Sequence, residues 1–76
     1  MKVEIFEGEL LVTQGAKQLR IATAPGEAAE IMLSLDAIET WDPPGQGPEV
    51  TLEELQKIAA AVEQVCARLG IAVEFD

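Results

Sequence analysis

The period of apolar and polar alternation changes along this chain, and the changes divide it into elements. Over residues 51–69 apolar side chains recur at spacings of three and four: Leu52, Leu55, Ile58, Ala59, Val62, Val65, Cys66 and Leu69. That is the stripe of an amphipathic helix, with Glu53, Gln56, Lys57, Glu63, Gln64 and Arg68 on the remaining surface. Both ends are marked. Thr51 and Glu54 have the spacing of a capping box, in which each side chain satisfies a backbone donor left open at the helix start. Glu53 and Glu54 in the first turn and Arg68 in the last suit the helix dipole, and Gly70 follows where a left-handed residue ends a helix. Such a helix is about 28 Å long, enough to cross several strands about 4.8 Å apart.

Elsewhere the period is two. Residues 2–7 place Val3 and Ile5 on one face and Glu4 and Phe6 on the other. Gly8 permits a bend or bulge, so residues 3–13 read as one kinked strand or as two. Gln14-Gly15-Ala16 then turns the chain back into residues 17–23, a hairpin. Ala24-Pro25-Gly26 is a break. Residues 27–35 read as a strand from the spacing of Ile31, Leu33 and Leu35, although Glu27-Ala28-Ala29-Glu30 has helical propensity. Residues 71–75 alternate again and add a closing strand.

The expected fold is α+β in a single domain, 1–76. It has a mainly antiparallel sheet with one long helix (about 51–69) on one face, in the order β-β-β-loop-α-β with the first strand open to splitting. Its core would take Val3, Ile5, Leu10, Val12, Leu19, Ile21, Ile31, Leu33, Leu35, Ile71, Val73 and Phe75 against the helical stripe. Alternation sends Phe6, Leu11, Ala22 and Met32 to the opposite face. A contiguous apolar group there implies a second contact. One reading is a homodimer through Phe6, Leu11 and Met32; the other is a strand register that buries them.

Residues 36–49 are the least ordinary stretch, holding the single tryptophan and three of the four prolines. Pro43 and Pro44 fix two φ angles and restrain Asp42, which predicts a stiff extended segment. Asp36, Glu39, Trp41, Asp42 and Glu49 are the candidate partner contacts, because a proline-stiffened loop loses less entropy on binding. Trp41 has two readings, a binding anchor or a plug over the end of the helix.

Composition narrows the chemistry. Fourteen acids against five bases give a net charge of −9, which disfavours nucleic acid and anionic membranes but leaves a basic protein partner open. With 49% hydrophobic residues the chain is not of a disordered type. There is no histidine, so Ser-His and Cys-His activation are missing, and one cysteine without imidazole does not make a zinc site. Asp36, Glu39 and Asp42 match no calcium-loop spacing, and Gly45-Gln46-Gly47 lacks the lysine of a phosphate loop. No catalytic, cofactor or metal residue is assigned, and an enzyme is not expected. Cys66, on the apolar stripe, is expected to be a buried inert thiol. No secretory signal is visible, and the longest apolar run, 58–62, is far short of the roughly 20 residues of a membrane span, so the cytoplasm is the expected location.

One resemblance adds to this. Leu33-Ser34-Leu35-Asp36, Ile38, Trp41-Asp42-Pro43-Pro44, the acid-rich helix and the closing strand together resemble the immunity protein 74 family, small bacterial proteins encoded beside polymorphic toxins. The resemblance implies a dedicated inhibitor of a cognate toxin with no catalysis of its own. With the charge of −9, it points to a basic face on that toxin. Without the resemblance, the alternative is a small homodimeric structural or accessory subunit.

Overall fold

In the computed structural model, which describes residues 1–43 and 45–75, the amino-terminal half is an antiparallel meander. Its strands are β1 (Lys2–Phe6), β2 (Glu9–Gln14) and β3 (Lys17–Ala22), in the order β1-β2-β3. The first strand is therefore split. Gly8 takes a φ of 81°, a conformation that costs other residues a Cβ clash, and the chain reverses there so that Phe6 pairs with Glu9. The register runs Val3–Val12–Leu19 and Ile5–Leu10–Ile21 across the three strands, which puts all six side chains on one face.

The next strand is much shorter than the pattern suggests. β4 covers only Ile31–Leu33, the four residues before Ile31 are bends, and Leu35 enters a 3-10 turn at Leu35–Ala37. After α1 (Leu52–Leu69), β5 (Val73–Phe75) lies parallel to β4 and not antiparallel, with Ile31 opposite Val73 and Leu33 opposite Phe75. Two parallel neighbours need a long crossover, and α1 is that crossover. A bridge between Ala24 and Met32 ties this small parallel pair to the end of β3.

The helix forms as its ends predict. The Thr51 hydroxyl accepts from the Glu54 amide at 3.1 Å, and the Glu54 carboxylate accepts from the Thr51 amide at 3.1 Å. Gly70 closes the helix in the left-handed region. Ile58, Val62 and Cys66, spaced by four, are buried against Val3, Leu10, Val12, Leu19, Ile21 and Leu33. Ile5, Ile31, Val65, Ile71, Val73 and Phe75 are half-buried around them. The ends of the stripe depart from expectation. Leu52 and Leu69, the first and last helical residues, are 72% and 61% exposed. Burial raises the Cys66 thiol above its ordinary value, with the Glu30 carboxylate adding to the effect. Among the described residues, no helix is long and apolar enough to cross a membrane.

Candidate functional site

The segment between β4 and α1 is fixed by pins and not by a ladder. Thr40 and Glu49 form an antiparallel bridge, the Trp41 amide donates to the Pro48 carbonyl at 2.9 Å, and the Val50 amide donates to the Glu39 carbonyl at 2.9 Å. The far end is a tight turn. The Gln46 and Gly47 amides return to the Pro43 carbonyl at 3.0 and 2.9 Å, and the Gly45 amide donates to the Thr40 hydroxyl at 2.9 Å. The stiff extended segment expected from the prolines is thus a closed turn on its described residues. Pro44 lies outside them. At Gly47 the backbone passes so close to the Trp41 carbonyl that any Cβ there would collide with it.

Trp41 is fully buried. The plug reading holds, and the ring does not offer a contact surface. Its indole N–H donates to Glu54 Oε1 at 3.4 Å, and Lys17 Nζ sits 4.9 Å from the ring centroid. The same lysine lies 2.6 Å from Glu54 Oε2. Glu54 thus gathers the helix start, the β2–β3 turn and the loop in one clasp. The Lys17 hydrogen bond, then the Thr51 amide, lower its carboxyl from an ordinary value of 4.5 to about 2.

Beside the clasp the loop stands off β3 and leaves a cleft of about 420 Å³. Arg20 contributes one wall, and Glu39, Thr40 and Asp42 line the other, with Ile38 between. Gln14 and Lys17 close the β2–β3 turn as a hydrogen-bonded pair, so the alternate residues Gln18, Arg20 and Ala22 turn their peptide groups toward this cleft. One of those groups is used: the Gln18 carbonyl accepts from the Asp42 amide at 2.8 Å. Glu49 lies across the loop from the cleft and borders a shallow hollow with Glu39. Asp36 is exposed in the 3-10 turn and lines neither.

The structure therefore places three of the five candidate contacts, Glu39, Asp42 and Glu49, on one hairpin-like loop. It sets Asp36 apart and takes Trp41 into the core. Among the described residues no group of carboxylates and thiol is gathered as a metal site. Arg20 and Thr40 were not singled out in sequence. Arg20 reads as an ordinary outward strand residue, and nothing local reports that a loop will fold opposite it.

Of the dimer-face candidates, Phe6 is 49% exposed, and Leu11 and Met32 are half-exposed. Leu11 stands between Glu4 and Arg20 in the register, and Phe6 beside Glu9. Exposed ion pairs, Lys2–Glu4 and Arg20–Glu9, both at 3.6 Å, interleave with them.

A comparison with curated proteins and another with solved structures returned no match. The profile of one protein family, immunity protein 74, matches residues 2–76. That match spans both halves of the molecule, the meander as well as the loop, helix and closing strand that carry the resemblance in sequence, and so the chain belongs to the immunity protein 74 family.

Proposed function

We propose that this protein acts in the cytoplasm as a non-catalytic inhibitor, binding a cognate toxin and occluding its surface. The observation that carries the reading is the loop of an immunity-family chain that exposes Glu39 and Glu49 and sets a half-buried Asp42 in the cleft wall while its tryptophan holds it to the core. Carboxylates so held meet a basic partner with little ordering entropy, and the charge of −9 speeds its approach. Asp36, exposed in the 3-10 turn apart from this loop, adds an acidic group of its own. The partner is a protein with a basic face, and neither nucleic acid nor membrane is involved.

Co-expression with the toxin encoded beside it tests the reading. Cells carrying both genes survive where the toxin alone kills. Asp42→Lys slows association and flattens its salt dependence with the fold intact, because the Asp42 contact with β3 runs through its backbone amide. Equal death with and without this protein would remove the immunity reading and leave the accessory-subunit reading in its place.

A further inference from the structure

The three-stranded sheet ends on β1, and among the described residues nothing pairs with its outer edge. Phe6 and Glu9 flank a two-residue turn, so they form a hydrogen-bonded pair, as do Glu4–Leu11 and Lys2–Thr13. The amides and carbonyls of Val3 and Ile5 therefore point away from β2. Natural sheets blunt such an edge with proline, a bulge, an inward charge or charged side chains along it. β1 has no proline, bulge or inward charge, and its two charges, Lys2 and Glu4, are of opposite sign and so can complement those of a second copy. Its register with β2 is unbroken, and its inner face carries Val3 and Ile5.

We infer that β1 pairs antiparallel with β1 of a second copy, Val3 opposite Val3, joining two three-stranded sheets into one with both helices on the same face. Charge selects this register. Sliding the pair to centre on Lys2 sets lysine against lysine, and centring on Glu4 sets glutamate against glutamate. Centring on Ile5 leaves both charges without a partner. Only the register centred on Val3 opposes each Lys2 to the second copy's Glu4, twice, at positions where cross-strand side chains come closest. The inner face agrees with the outer one. In this register Met1, 47% exposed, lies across from the half-buried Ile5 of the second copy, so an apolar pair is covered at each end. The Lys2–Glu4 contact within β1 is exposed at 3.6 Å, and exchanging it for the intermolecular pair sacrifices little. The face with Phe6, Leu11 and Met32 is the poorer surface, because ion pairs divide it. A domain this small buries a modest share of its surface alone, so a second copy adds to its stability.

Sedimentation equilibrium of the purified chain at micromolar concentration tests the pairing. The unaltered protein sediments as a dimer. Lys2→Glu or Glu4→Lys alone turns both cross-strand pairs repulsive and weakens association about tenfold or more. Mixing the two singly altered chains restores a one-to-one dimer, because the glutamates of one chain then face the lysines of the other. Both chains stay net negative, so general attraction does not explain that rescue. A monomeric unaltered protein overturns the proposal. So does a dimer that both reversals leave intact, above all one that Leu11→Lys dissolves, since that result assigns the contact to the open sheet face.

Discussion

The meander with its helix and the 38–50 loop are stabilised in opposite ways. In the meander each strand is held by a continuous ladder, and its inward residues share one apolar layer with Ile58, Val62 and Cys66. Losing one contact there leaves many. The loop has no ladder among the described residues, and it is tied to the rest of the molecule by one buried ring with its indole bond to Glu54 and by the Asp42 amide on Gln18. Regular structure spreads its stabilisation along the chain. An irregular segment concentrates it, and can therefore leave its remaining side chains free.

The sharpest test of that contrast is Trp41→Ala, which should cost about 3–5 kcal/mol in denaturant melts. It should also release the loop, seen as faster exchange of the Asp42 amide. A loss below about 1 kcal/mol would mean that the loop is draped and not anchored. Ile58→Ala, in the shared layer, should cost about 2–5 kcal/mol but leave the Asp42 amide protected below the global transition. Lys17→Met separates the clasp from both. The Glu54 carboxyl titrates at about 2 in the folded protein and ordinarily at 4.5, so the unfolded chain binds more protons in between. The stabilisation is complete above the ordinary value and is lost as pH falls through the folded one. Thermal melts across that window should show a shallower acid decline for Lys17→Met than for the unaltered protein. Leu52→Ser should change stability by no more than about 0.5 kcal/mol, since that side chain is 72% exposed despite its place on the stripe.

The elements that sequence makes legible are those whose determinants are local. The capping box and Gly70 delimit the helix within a residue, and Gly8 and Gly15 punctuate the strands. Where the determinant is distant, the pattern misleads or is silent. Leu35 keeps the spacing of a strand but turns into a 3-10 helix, because among the described residues β4 has only β5 and one bridge to hold it extended. The parallel pairing of β4 with β5 is a product of the crossover, and alternation does not distinguish it from antiparallel pairing. Glu54 reads as a capping residue and is one. Its second role, binding Lys17 across 37 positions of sequence and taking the Trp41 indole, has no local signature. The candidate site was legible as a stretch, since three of its acids do share a loop, but the cleft opposite Arg20 exists only once that loop is pinned to β3.

Trp41 and Gly47 meet backbone to backbone beside the turn that ends the loop, and the glycine tolerates no side chain there. Glu39, Asp42 and Glu49 have no side-chain hydrogen bonds among the described residues. Within a dozen positions the chain thus separates residues that must stay from residues that are free to drift. Substitutions in the second set change what the loop offers while each inherits a loop that already folds.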